Sequence, residues 1–359
     1  MTDRATMRGM VLTGHGGLDR LEWREDLRVP EPGTGEVLIR VGAAAVNNTD
    51  INTRTGWYSK AVRGDTASGA TQGYEGSDSG AEGSWSGAPL AFPLIQGADC
   101  CGHIVAVGDG VDPGRIGERV LVRTMQSRPR ADGGAVTFTF GSECNGGFAE
   151  YAVAASGDAL KVLSDLTDIE LAGFPCAFST AEAMIQRCGL GNENVLITGA
   201  SGGVGSAAIQ LAKRRGAHVT AVTTATKAKA LQDLGADETI DRDAGIPENA
   251  FDVILDLVGG PQFPGLVDGL RDRGRYVTSG AIAGPIVELD LRTLYLRDLT
   301  LLGSTYQSAS VFEDLVGYIE AGEVRPVIAA VYPLSDLRSA QDAFVRKSHI
   351  GKIAIRVAD

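Results

Sequence analysis

One segment constrains this chain more than any other: an apolar run that breaks into glycines and restarts as an apolar-periodic helix. It reads Val195-Leu196-Ile197-Thr198-Gly199-Ala200-Ser201-Gly202-Gly203-Val204-Gly205. Val195 to Thr198 predicts a strand, and Gly205 to Arg215 predicts the helix after it. The glycine frame is Ala200-x-Gly202-x-x-Gly205, with alanine in the first place of the common GxGxxG. Residues without a Cβ let a diphosphate approach backbone N–H groups, and a helix N-terminus gives those groups a partial positive charge. Gly199, Ala200, Ser201, Gly202, Gly203, Val204 and Gly205 are therefore expected to cradle a dinucleotide.

The rhythm of strand and helix continues downstream. Strands are predicted over His218–Val222, Glu238–Ile240, Asp252–Leu255, Arg275–Ser279 and Leu299–Gly303, with a helix over Lys227–Leu234. Gly216 and Gly235 stand where helix C-cap glycines belong. Such alternation implies right-handed crossovers and a doubly wound parallel sheet. An NAD site usually carries a carboxylate at the end of the second strand. Here that stretch reads Ala221-Val222-Thr223-Thr224-Ala225-Thr226-Lys227, followed by Lys229. The hydroxyls of Thr223 and Thr224 and the ammonium of Lys227 suit a 2′-phosphate, so NADPH is the expected cofactor.

The first third is β-rich, with short strands at Glu36–Val41, Cys101–Gly108 and Arg119–Arg123 separated by turn residues, as in a barrel. Residues 64–88 differ: Gly, Ser, Ala and acidic residues dominate and Lys and Arg are absent. Two readings stay open, a flexible surface insertion or a lid carrying Tyr74 and Trp85. Near the end a helix is predicted around Leu337–Lys347. A strand over Lys352–Val357 is expected to rejoin the first unit.

Composition excludes some roles. Across 359 residues, 33 Lys and Arg face 45 Asp and Glu, a net charge of -12. A nucleic-acid or anionic-membrane binder leans the other way. No apolar run approaches the roughly 20 residues that span a bilayer, and Met1 to Met10 lacks the apolar core of a signal peptide. Five cysteines, an odd number without CxxC spacing, fit a reducing compartment. A cytoplasmic protein acting on a small molecule is the expectation.

Several segments together resemble the medium-chain dehydrogenase/reductase superfamily over nearly the whole chain. They are Gly35 to Val41, Gly147-Phe148-Ala149-Glu150-Tyr151, the phosphate loop, Asp256-Leu257-Val258-Gly259-Gly260, Leu301-Leu302-Gly303-Ser304 and Gly351-Lys352-Ile353. The resemblance implies an α/β protein in two parts. A GroES-like β-barrel catalytic domain over 1–163 and 309–359, with its insertion at about 64–88, would be interrupted by a Rossmann dinucleotide-binding domain over 164–308. The site would lie in the cleft between them. Family precedent also implies a homodimer joined through the last strand of the parallel sheet.

Many relatives are zinc alcohol dehydrogenases whose metal is held by Cys, His and Cys. At the matching positions this chain carries Asn47, then Ala98 in Gly97-Ala98-Asp99, and finally Cys176 in Cys176-Ala177-Phe178-Ser179-Thr180. Catalytic zinc wants three protein ligands and an open position, so no metal is expected. The resemblance then narrows to the zinc-lacking quinone oxidoreductase and enoyl reductase branches, which carry Asn at the zinc-cysteine position and a Tyr eleven residues on. Here those are Asn47 and Tyr58. Hydride addition to a conjugated acceptor leaves an enolate, which Asn47 or Asn48 could stabilise and Tyr58 could protonate. The resemblance also places Thr180 at the nicotinamide amide, Gly280 and Ala281 along the cofactor, and Gly303, Ser304 and Thr305 beside the ring. The expected activity is zinc-independent, NADPH-dependent hydride transfer to an activated double bond or quinone. Two alternatives stand beside it: an alcohol dehydrogenase with an atypical zinc site, and a non-catalytic, crystallin-like NADPH-binding protein.

Overall fold

A computed structural model describes residues 5–74, 83–129 and 133–358. Six parallel strands form one sheet in the spatial order Glu238–Asp241, His218–Thr223, Asn194–Ile197, Phe251–Asp256, Leu270–Thr278, Thr300–Gly303. The order reverses between the third and fourth of these, so a crevice opens beyond the carboxyl ends of Asn194–Ile197 and Phe251–Asp256. The two inner strands read as apolar runs because helices cover both faces of the sheet. Val195, Ile197, Val253 and Leu255 are fully buried on one side with helix Pro175–Cys188; Leu196 and Ile254 pack with Phe263 and Leu266 on the other.

The predicted helices appear as Gly203–Arg214, Ala225–Asp233 and Leu337–Val345. Gly216 and Gly235 sit just past two of them with φ of 81° and 115°, conformations that a Cβ disfavours. Helix Ala309–Glu320 buries Phe312, Leu315 and Ile319 in the core shared with Pro175–Cys188.

The other unit is a barrel-like set of short strands. Its seven-stranded sheet is built around Glu36–Ala45, which pairs with Cys101–Val107, Tyr151–Ala155 and Lys352–Arg356. The C-terminal strand thus returns to the first unit, antiparallel, with Ala354 opposite Ala45. A three-stranded sheet of Thr6–Leu12, Leu21–Arg28 and Leu94–Ile95 closes one side. No helix among the described residues is long and apolar enough to cross a membrane.

Two contacts tie the phosphate loop to the final strand. Gly351 N–H donates to Ser201 O at 2.9 Å, and Gly202 bridges Gly351. Ser201, Gly202 and Lys352 therefore meet at the seam between the units.

Candidate active site

The phosphate loop has the shape its glycines predict. Gly199 turns with φ 57° and Gly202 N–H returns to Gly199 O at 3.0 Å. A Cβ on Gly205 would lie 2.4 Å from Gly199 O and 2.5 Å from Ala200 Cα, so backbone alone fits there. Helix Gly203–Arg214 begins at once, presenting unpaired N–H groups to the crevice. Across the crevice Asp256 locks the next turn. It accepts from Thr198 Oγ1 at 2.5 Å, Val258 N at 2.9 Å, Gly259 N at 3.1 Å and Tyr276 Oη at 2.5 Å.

Some of the buried polar atoms without partners belong to residues along this crevice. Thr223 Oγ1, Ser304 Oγ, Gln307 Oε1 and His349 Nδ1 have no hydrogen-bond partner among the described residues. Leaving such groups unsatisfied costs about 1–3 kcal/mol each. Thr223 and Ser304 belong to the expected cofactor track, and Gln307 Nε2 donates to Thr180 Oγ1 at 3.3 Å. The polar groups present thus fit a dinucleotide. Thr278 Oγ1 donates to Gly280 O, Ala281 packs 3.2 Å from the Cβ position of Gly259, and Ser304 N–H donates to Thr278 O. These contacts hold Gly280 and Ser304 beside Thr278, and Ala281 beside Gly259.

At the end of the second strand, Thr224 Oγ1 contacts Thr226 Oγ1 and Lys227 Nζ donates to the carbonyls of Lys347 and His349, both at 2.8 Å. Arg242, whose N–H donates to Thr223 O, stands close enough to help lower Lys227, after the larger effect of burial. A carboxylate does reach this end, from the neighbouring strand: Asp241 accepts from Ala225 N–H and Asp243 N–H.

Lys347 completes the cationic rim. Its ammonium donates to Asn48 Oδ1 at 2.9 Å and sits 3.7 Å from the centre of the Phe344 ring. Burial, then the charges of Lys352 and Lys227, pull Lys347 down to about 7, and burial, then the charges of Lys347, Lys227 and Lys352, pull His349 down to about 4. Arg242 and Lys347 were not legible as site residues, because they arrive from the end of another strand and from 120 positions beyond Lys227. The signal available was only a cation next to a strand end.

The barrel side contains the largest departure from the expected roles. Asn47 caps helix Asn48–Thr55, and Asp50 accepts its N–H at 2.7 Å together with those of Gly97 and Ala98. Burial pushes the Asp50 carboxyl up to about 7. The Asn47 amide donates to Ala45 O at 3.2 Å and Asp99 Oδ2 at 2.8 Å, so both of its hydrogens are used inside the protein. Its Oδ1 accepts from Lys352 Nζ at 2.5 Å, and the same ammonium donates to Asp99 Oδ2 at 2.8 Å and Val46 O at 3.2 Å. Asp99 also accepts Cys176 N–H at 2.7 Å. Lys352 is 2 % exposed and Asp99 0 %. All three ammonium protons are satisfied, as a buried cation requires.

Asn48, one residue on, is half-exposed; Lys347 holds its Oδ1 and no described group accepts from its NH2. Tyr58 is half-buried, donates to Thr49 Oγ1 at 3.2 Å and meets Trp57 edge-on at 5.8 Å. Burial pushes its phenol up to about 12, with the charges of Cys176 and Glu143 adding smaller pushes. Thr180 Oγ1 donates to Cys176 O at 2.7 Å. Cys176, Asn47 and Asp99, at or beside the family's metal-ligand positions, thus surround an ammonium rather than an open cage. Among the described residues no group of three or more His, Cys, Asp or Glu could hold a metal ion.

Two family models match the chain: the alcohol dehydrogenase GroES-like domain over residues 33–164 and the zinc-binding dehydrogenase over 203–321. Acryloyl-coenzyme A reductase of Metallosphaera sedula is 27% identical over 369 residues, covering 97% of this chain and 99% of its own. Human quinone oxidoreductase is 28% identical over 366 residues, covering 97% and 96%. A solved structure from Sinorhizobium meliloti 1021 is 44% identical with a TM-score of 0.85, over 98% of this chain and 97% of that one. A thermostable alcohol dehydrogenase from Pyrobaculum aerophilum is 30% identical at 0.81, over 98% and 100%; a second structure of that enzyme carries cobalt and zinc.

Proposed function

This chain belongs to the medium-chain dehydrogenase/reductase superfamily of nicotinamide-dependent oxidoreductases, and from that premise we propose that it is an NADPH-dependent, zinc-independent reductase of activated carbon–carbon double bonds or quinones. The observation that carries the zinc-independent reading is Lys352. Its ammonium donates to Asn47, Asp99 and Val46 beside Cys176, so a dication at that place would meet a fixed positive charge and ligands already spent. The choice of acceptor is supported by the names of the quinone oxidoreductase and acryloyl-coenzyme A reductase relatives.

NADPH is supported by the Thr223, Thr224 and Lys227 end of the second strand, with Arg242 beside it. The phosphate loop, Lys227 and Lys347 would take the phosphates, and Thr180, Gln307 and Ser304 would face the nicotinamide end. When bound, the nicotinamide supplies two electrons as a hydride to the acceptor's β-carbon.

The protein's own groups handle the charge that develops. Asn48, its carbonyl held by Lys347, offers an amide N–H to the enolate oxygen. Tyr58 keeps its proton across the neutral range because its pKa is raised, so it can donate a hydrogen bond and then a proton, recovered from solvent. Asn47 acts as a positioning residue between Lys352 and Asp99.

The test is NADPH and NADH oxidation with 2-hexenal, benzoquinone and crotonyl-coenzyme A, with bound metal measured on the same sample. We expect activity in metal-free protein, preference for NADPH, and a fall of about a hundredfold in kcat for Tyr58→Phe. Stoichiometric zinc whose removal abolishes activity would overturn the reading. Unchanged rates in Tyr58→Phe would remove Tyr58 from it.

A further inference from the structure

The described parts of the 64–88 insertion are packed and pinned, and they cross the cleft. On the barrel side, the fully buried Arg54 donates to Ala70 O at 2.8 Å and Gly16 O at 2.9 Å, and Trp57 Nε1 donates to Gly64 O at 3.1 Å. Gly73 and Gly83 leave no room for a Cβ, which would stand 2.7 Å from Gly16 Cα and 2.5 Å from His15 Nε2. On the far side, Thr66 N–H donates to Ile282 O at 3.0 Å and Trp85 Nε1 donates to Thr305 Oγ1 at 2.9 Å. Ile282 follows the Gly280–Ala281 turn, and Thr305 ends the Gly303–Thr305 stretch. The insertion thus fastens to both rims of the dinucleotide unit that are expected to flank the nicotinamide.

Trp85 neighbours an acidic side chain. Residues 64–88 contain no Lys or Arg. Beside Trp85, Ser86 N–H donates to Glu143 Oε1 at 3.0 Å, and the Glu143 charge is felt at Tyr58. Lys60 and Arg63, the cations nearest in sequence, are solvent-exposed.

We propose that the pinned, described parts of this strap limit the size of the acceptor, with Trp85 as the specificity-determining residue. Small conjugated acceptors enter, and acyl thioesters of a large carrier are turned away. The indole narrows the mouth between Thr305 and the Glu143 side, leaving little room for a bulky carrier beside the ring. The proposal rests on the placement of the nicotinamide argued above.

The experiment compares kcat/KM for 2-hexenal and crotonyl-coenzyme A in the wild type, Trp85→Ala and Trp85→Phe, alongside calorimetric binding of crotonyl-coenzyme A to each protein loaded with NADP+. We expect the wild type to favour the free enal by about a hundredfold, Trp85→Ala to shrink that ratio about tenfold, and Trp85→Phe to fall between. Thioester binding should appear in Trp85→Ala and be weak in the wild type. Equal use of both acceptors by the wild type, or a ratio unmoved in both variants, overturns the proposal. If the wild type reduces neither acceptor, the reductase reading fails by itself. Calorimetry still decides the strap: thioester binding gained in Trp85→Ala supports it, and binding that is equal or absent in both proteins overturns it.

Discussion

Two lysines five residues apart, Lys347 and Lys352, stand in opposite surroundings. Lys352 is buried with Asp99 and two further acceptors, so its charge is matched inside the protein. Lys347 is an exposed residue whose ammonium lies over the Phe344 ring; among the described residues the Asn48 carbonyl accepts from it, and its pKa falls to about 7. An arriving phosphate would favour the protonated form. Lys347 is charged below about 7 and loses its proton above it. NADPH affinity should therefore be full on the acid side and weaken by up to about tenfold per pH unit on the basic side. Lys347→Gln should bind more weakly at acid pH and lose that dependence, as a titration of cofactor fluorescence against pH would show. A slope retained in the variant would move the titrating group elsewhere.

At the scale of elements, the strand, glycine loop and helix at 194–214 form the part that tolerates least change. A Cβ at Gly205 would press on Gly199 O and Ala200 Cα, both backbone, so nothing nearby can rotate away. Gly205→Ala should weaken NADPH binding at least tenfold with a smaller loss in thermal stability, read by fluorescence titration and melting. An unchanged dissociation constant would mean that the loop relaxes freely. The six strands and the helices at 203–214 and 225–233 were legible because their apolar runs and glycine stops repeat in order; the fifth strand begins at Leu270, five residues earlier than predicted, and the last at Thr300, one residue later. The insertion was not legible. Its composition suits a flexible segment equally well, and only Arg54, Thr66 and Trp85, bonding to distant carbonyls and a hydroxyl, reveal that the described parts are fastened.

For the whole molecule, the two units are sewn together where Ser201 and Gly202 meet Gly351, so phosphate loop and barrel network share one short stretch of chain. Among the described residues the sheet's outer strand, Thr300–Gly303, has no partner on its far edge, and Ile286, Leu291, Tyr295 and Leu296 in the segment leading to it are more than half exposed. An unpaired strand beside an apolar patch favours self-pairing about a two-fold axis. We propose a homodimer through this edge. Light scattering should give about twice the chain mass, and Tyr295→Arg combined with Leu296→Arg should give the monomer; a wild-type monomer at micromolar concentration would exclude it. The sequence alone determined the doubly wound sheet and the strand–glycine loop–helix unit, because each is written in residues close together and in their local spacing. Tertiary structure decided what fills the place of the metal, which asparagine is left with a free amide and where the insertion lies. Those outcomes depend on Lys352, Lys347 and Thr305 coming back from hundreds of residues away, and a buried charge or hydrogen-bond donor takes whatever partner the fold brings within reach.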